Sequence, residues 1–301
     1  MPNAKLLNYL HLHLIVFIWG FTAVLGALIT IDAVPLVWYR MGIASILIGL
    51  WLGFRKVPFR VSRTMLLKFF LMGGVIAMHW LAFFGAIKAG NVSVTLAIMA
   101  TGAFFTAFLE PIFYRRKVIG YEVLFGLIVM IGLYIIFKVE TEYVESILLA
   151  LLAAFLGALF AVVNGKFVEK HAASVISFYE LLFGTLCITV YLWLTDRFTD
   201  ELFQLVSLDW FYLFILASIC TAYAFIASVY VMKWISPYTV MLTINLEPVY
   251  GILLALLILG ETENMSVEFY YGAAIILITV IANGIIKNRI KRNKKALSDT
   301  N

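Results

Sequence analysis

The sequence predicts an all-α integral membrane protein with ten transmembrane helices arranged as two inverted five-helix repeats. Three observations carry that expectation. Of 301 residues, 64% are hydrophobic and only 13% charged, with a mean hydropathy of +1.02. The apolar residues fall into ten stretches close to the ~20 residues a helix needs to cross a hydrocarbon core of roughly 30 Å. Lys and Arg cluster in every second gap between those stretches. A soluble bundle would carry polar stripes with a 3.6-residue period, and these segments mostly lack them.

In order, the expected spans are Tyr9–Ile29, Val34–Gly53, Met65–Ile87, Asn91–Tyr114, Val118–Phe137, Val144–Gly165, Ala172–Leu194, Leu208–Met232, Ser236–Leu259 and Met265–Ile286. The first is too long for the apolar core of a cleaved signal, and no small-residue cleavage site follows it, so it is expected to stay as helix 1. The short loops leave no room for a soluble domain. One set of loops, with Lys5 and the tail, holds 18 of the 22 basic residues. The opposite set holds Lys88, Lys138 and Arg197 beside most of the acids, Asp209 and Glu263 among them. The positive-inside rule then puts both termini in the cytoplasm, in a multi-pass protein of the cytoplasmic (inner) membrane. The net charge of +5 is a topology signal and calls for no nucleic-acid partner. The tail, residues 287–301, reads as a disordered basic stop with affinity for anionic lipid. Cys187 and Cys220 fall inside spans and are expected as free thiols.

The halves, 9–137 and 144–286, can be laid over one another. A shift of 145 matches Lys88 with Lys233, Ala82 with Ala227, Ala77 with Ala222 and Phe105 with Tyr250, and a shift of 146 matches Gly126 with Gly272. Around the second helix of each half a shift of 140 pairs Trp38-Tyr39 with Phe178-Tyr179 and sets Arg40 opposite Glu180. With five helices per half, the second copy enters the membrane upside down. Such inverted repeats place a substrate site near the midplane between them. The triplets Leu109-Glu110-Pro111 and Leu246-Glu247-Pro248 are identical but fall outside this register, so they are read separately.

Several segments resemble one known family. Phe17-Ile18-Trp19-Gly20-Phe21 in helix 1, Pro35-Leu36-Val37-Trp38-Tyr39-Arg40 in helix 2, and Glu247-Pro248-Val249-Tyr250-Gly251 followed by Leu259-Gly260-Glu261 are similar to the EamA branch of the drug/metabolite transporter superfamily. The first repeat has Thr101-Gly102 where that family usually shows a small residue followed by Pro in helix 4. The resemblance implies two five-helix units and alternating-access movement of small metabolites, commonly export of amino acids or related compounds.

An ionisable side chain within a span is costly unless it faces a cavity or a partner, which makes it a candidate site residue. Glu247 lies roughly 16 Å into its span at 1.5 Å per residue, and Pro248 is expected to kink the helix there. Glu247 is either a site group or a structural carboxyl paired with a neighbouring helix. His79 is expected near mid-depth, where an imidazole suits substrate recognition or proton coupling. Trp19, Trp80 and Tyr223 share that layer and offer rings for stacking. Asn245, two residues before Glu247, is a further candidate. Arg40 and Glu180, equivalent in the repeat and opposite in charge, read as gate residues, as a charge pair or as binding groups for an amino-acid solute. Glu110, close to Arg115 and Arg116, reads as a surface pair.

Other chemistry finds no support. There is no phosphate-binding loop, no His-Glu-x-x-His pair and no Gly-x-Ser-x-Gly elbow. His11 and His13 point to different helix faces and make a poor metal site. No metal or cofactor is expected, and the partners expected are a small-molecule substrate, protons and the lipid bilayer. Rival readings are an intramembrane enzyme acting on lipid, which needs clustered deep nucleophile or acid pairs, and a passive facilitator or channel.

Overall fold

The computed structural model describes residues 2–115, 117, 120–139, 141–235, 240, 243–244 and 246–298, and among them the regular structure is helical throughout. The helices are α1 (Pro2–Leu28), α2 (Ala33–Phe54), α3 (Arg63–Ala89), α4 (Val92–Met99), α5 (Gly102–Tyr114), α6 (Gly120–Val139), α7 (Val144–Phe167), α8 (Ala173–Leu194), α9 (Ser207–Ala217), α10 (Ala224–Val231), α11 (Glu247–Ile258) and α12 (Val267–Ser298). A π-helical turn, Ser218–Tyr223, joins α9 to α10. Among the described residues seven segments are long and apolar enough to cross a membrane, and three shorter apolar helices lie in α6, α11 and α12. With that composition, the chain is a multi-pass membrane protein.

Helix ends repeat between the halves. After α2, Lys56 takes a left-handed conformation (φ 52°), its N–H donates to Gly53 O, and the N–H of Val57 reaches back to Leu52 O. After α8, Asp196 (φ 54°) donates to Trp193 O, and Arg197 reaches Leu192 O. These are the same reversed-turn helix ends, in which one αL residue satisfies orphan carbonyls, and they stand at the 140-residue shift. The tyrosines of that register behave alike: Tyr39 donates its hydroxyl to Leu202 O and Tyr179 to Phe59 O, each at 2.9 Å.

Packing partners are exchanged in the same way. α3 lies on α7 and α8, while α1 and α2 lie on the α9–α10 segment. α1 packs on α11, and α7 packs on α4 and α5. α2 meets α8, α4 meets α11, and α6 meets α12. Glycines mark the closest crossings, as small residues do where lipid supplies no hydrophobic drive. A Cβ on Gly73 would stand 2.7 Å from the Glu180 carbonyl oxygen and 3.0 Å from the Gly184 nitrogen. Backbone cannot rotate aside, so Gly73→Ala is expected to destabilise the protein by about 1–3 kcal/mol, seen as a lower melting temperature in detergent. An unchanged melting temperature would sink this packing account.

Three expectations change. Asp209 and Glu263, expected as loop acids, are 1% and 3% exposed and accept hydrogen bonds from distant backbone N–H groups. Asp209 accepts from the Thr30 N–H (2.9 Å) and hydroxyl (2.5 Å), beside a contact from Lys88 Nζ to the Ile29 carbonyl. The Glu263 carboxylate accepts from the N–H groups of Val92 and Ser93 at 3.2 and 2.8 Å, where the first turn of α4 leaves donors unpaired and favours negative charge. Pro248 does not kink a helix interior: it occupies the first turn of α11, where a missing N–H costs nothing. The basic tail continues α12 as helix to Ser298, since its Lys, Arg, Ala and Leu residues are good helix formers.

Candidate functional site

A cavity of about 90 Å³ is lined by charged and aromatic residues from both halves of the chain. Its walls come from α1 (Trp19, Thr22), α2 (Arg40), α3 (Ile76, His79, Trp80, Phe83), the end of α4 (Met99), α7 (Gly157, Phe160, Ala161), α10 (Phe225, Ser228), Met232, Ile244 and the start of α11 (Glu247). Among the described residues, α5, α6, α8, α9 and α12 contribute no lining residue. The 145-residue register reappears on these walls: Trp80 and Phe225, Phe83 and Ser228, and Met99 and Ile244 are equivalent pairs. Trp80 and Phe225 meet directly, ring centroids 5.6 Å apart.

Two helix interruptions open onto the cavity. The fourth span breaks at Ala100-Thr101, between α4 and α5, where the sequence has Thr101-Gly102 in place of a proline. Thr101 turns its hydroxyl onto the Ile98 carbonyl at 2.8 Å and so competes with the helix ladder. In the second repeat α11 begins at Glu247, the 145-shifted counterpart of Gly102. Thus α5 and α11 start at equivalent points, and discontinuous helices at the cavity expose backbone groups that a continuous helix would hide.

Arg40 is 1% exposed and held on several sides. Its Nε–H donates to Thr221 Oγ1 (2.6 Å), and Thr221 donates on to the Leu216 carbonyl (2.7 Å). Nη2 points to the Cys220 carbonyl at 3.5 Å. Both acceptors belong to the π turn, a distortion that recurs at functional sites. The guanidinium lies over the Trp80 ring, 4.0 Å from its centroid, and 5.3 Å from that of Phe84. Among the described residues Nη1 has no hydrogen-bond partner. The carboxyl group of Glu247 lines the same cavity. The cavity therefore offers, among the described residues, a spare guanidinium donor and a carboxyl group.

His79 points Nδ1 at the Ala153 carbonyl (2.7 Å); a carbonyl only accepts, so Nδ1 carries the proton of that bond. Gly157 admits the ring, since a Cβ there would stand 3.1 Å from Cε1. Phe83 stacks on the imidazole at 6.3 Å and 16°.

The cavity thus brings together five of the residues singled out from the sequence: Trp19, Arg40, His79, Trp80 and Glu247. Glu180 lies elsewhere, fully buried beside Asn164. Tyr223 is 43% exposed on the outer surface of the bundle, bonded to His11 Nε2 at 2.8 Å. Depth along a span is readable from sequence, whereas the direction a side chain takes around the helix is not. Asn245 falls outside the described residues. Glu110 is 9% exposed, deeper than a surface pair requires. Thr221, Phe225, Ser228, Phe160 and Gly157 are site residues that sequence reasoning missed. The 145 register, applied to Trp80 and Phe83, points to Phe225 and Ser228.

A multi-pass helical bundle around a charged, aromatic-walled cavity is the build of a small-molecule transporter. The chain belongs to the EamA-like transporter family, which matches it over residues 7–138 and 145–285. It is 26% identical, over 231 residues, to an uncharacterized transporter of Clostridium kluyveri; the match covers 73% of this chain and 70% of that protein. A solved crystal structure with 16% identity covers 92% of this chain and 97% of its own with a TM-score of 0.67, a likeness of fold.

Proposed function

We propose that the protein carries small zwitterionic metabolites, amino acids and related compounds, through the central cavity by alternating access. The observation that carries this reading is that Arg40 and Glu247 line one cavity, Arg40 with a donor unused among the described residues. An α-carboxylate takes two N–H donors from a guanidinium, and an α-ammonium pairs with a carboxylate. A zwitterion presents a carboxylate and an ammonium to a cavity lined by a guanidinium and a carboxyl group, whereas an anion or cation alone leaves one of them without a partner. Trp19, His79, Trp80 and Phe225 surround the side chain with ring faces.

In this reading the chain crosses the membrane ten times, as two inverted five-helix repeats with both termini in the cytoplasm of a cytoplasmic membrane. The exchanged packing partners, the equivalent breaks before α5 and α11, and the matched wall residues support it. Net movement is export, the direction implied by the resemblance. Rocking of one repeat against the other opens the cavity to each side in turn.

The test labels a cavity-wall cysteine. In a chain with Cys187 and Cys220 replaced by Ala, Met99→Cys is expected to react with a membrane-impermeant thiol reagent from either face of the membrane, and more slowly when amino acids are present. Reaction from one face only, with no protection by any amino acid, would rule the reading out.

A further inference from the structure

Glu180 is a buried carboxyl that the cavity does not use and that no helix-capping role explains. It sits in α8 at 0% exposure, with Ser177 one turn earlier at 0% and Asn164 of α7, also at 0%, beside it. Asn164 Nδ2 donates to Glu180 Oε2 at 3.3 Å. Three atoms of this group lack any partner among the described residues: Glu180 Oε1, Ser177 Oγ and Asn164 Oδ1. The backbones of α3 and α8 pack closely at this level, since a Cβ on Gly73 would stand 2.7 Å from the Glu180 backbone carbonyl oxygen.

Among the described residues, no cation answers the carboxyl from the elements packed on α8. On α2, Arg40 is engaged by Thr221 and Trp80, and Tyr39 by the Leu202 carbonyl. On α3, His79 is bonded to Ala153, Lys88 reaches Ile29, and Arg63 and Lys68 are exposed. On α7, Lys166 reaches the Phe113 carbonyl and Glu145 is exposed. Tyr230 of α10 is exposed, and on α8 itself Tyr179 is bonded to Phe59.

A carboxylate held dry without a counter-charge is strongly disfavoured. A proton changes the arithmetic of the group. As a neutral acid, Glu180 becomes a donor at Oε1, and Asn164 Oδ1, on the side chain already bonded to Oε2, is an acceptor left open beside it. We infer that Asn164 and Glu180 form a proton-binding site, occupied while α8 is packed against α3 as here. Separation of these helices admits water, and the proton leaves Oε1 for that water. The coupling of this site to transport rests on the alternating-access reading; the binding of the proton does not.

The experiment is infrared difference spectroscopy of the full chain in lipid nanodiscs at neutral pH, wild type against Glu180→Gln and Glu180→Asp. The expected result is the carbonyl stretch of a protonated acid in the wild type, lost in Glu180→Gln and displaced in Glu180→Asp. Should Glu180→Gln fail to fold, Asn164→Ala serves instead: removing the donor to Oε2 displaces the same band. Identical protonated-acid regions in wild type and variants overturn the site. Proteoliposomes with a proton gradient supply the second arm, in which one pH unit supports about tenfold accumulation of an amino acid per coupled proton. Glu180→Gln is expected to keep amino-acid exchange and lose that accumulation; a variant that keeps both overturns the coupling. Wild-type protein that exchanges no amino acid defeats the transport reading, while the infrared result still decides the proton site.

Discussion

Arg40→Lys is expected to leave a folded membrane protein whose apparent affinity for amino acids in exchange assays is about 10- to 100-fold weaker. The charge survives the change, and the stem still fills its channel beside Trp80 and Phe84. What is lost is the planar fork. Nε no longer anchors to Thr221, and the donor that Nη1 leaves free is no longer aimed by that anchor. A lysine presents a point charge, so it cannot hold a carboxylate through two parallel bonds. The π turn should feel the change too, because Arg40 engages Thr221 and Cys220 within it. Measured half-saturation in the variant equal to that of the wild type would show that Arg40 is structural only.

Glu247→Gln tests the other end of the solute. The substitution keeps shape and removes the negative charge, so folding and membrane insertion should be unaffected. A charge-assisted bond to an ammonium is worth about 1.5–3 kcal/mol. Exchange of amino acids is accordingly expected to fall by at least about tenfold. Compounds lacking the ammonium should lose less. Equal losses for amino acids and for their deaminated analogues would remove the ammonium from the account, while leaving the cavity in place.

The membrane class and the order of the helices are legible because the apolar runs are long and the repeat registers are preserved in residues such as Lys88 and Lys233. The equivalence of Trp38-Tyr39 with Phe178-Tyr179 is informative about structure, since the two helices end in the same αL turn and their tyrosines bond alike. Arg40 and Glu180 show the limit of such a register. They are equivalent in position, yet one lines the central cavity and the other is fully buried beside Asn164 of α7. Polarity at a given depth singles out Arg40, His79 and Glu247 because few charged or titratable groups occur there. It does not separate Trp80, on the cavity wall, from Tyr223 on the outer surface, since both have the same amphipathic ring chemistry. The π turn is invisible for another reason: it is a helix distortion held by a tertiary contact, Arg40 on Thr221. The break at Ala100-Thr101 coincides with the Thr101 hydroxyl bonded to the Ile98 carbonyl, a local competition with the helix ladder. Asp209 and Glu263 resemble solvated acids in the sequence because nothing local distinguishes a carboxyl near a helix end that reaches backbone N–H groups far away in the chain.

The central claim is that the cavity is a carrier site and not a pore or a filled core. Counterflow tests it most directly: wild-type protein in proteoliposomes preloaded with single amino acids, with labelled amino acid supplied outside at trace concentration. The account predicts transient accumulation that depends on the preload and saturates. Entry that is indifferent to the preload and rises linearly with concentration would contradict it.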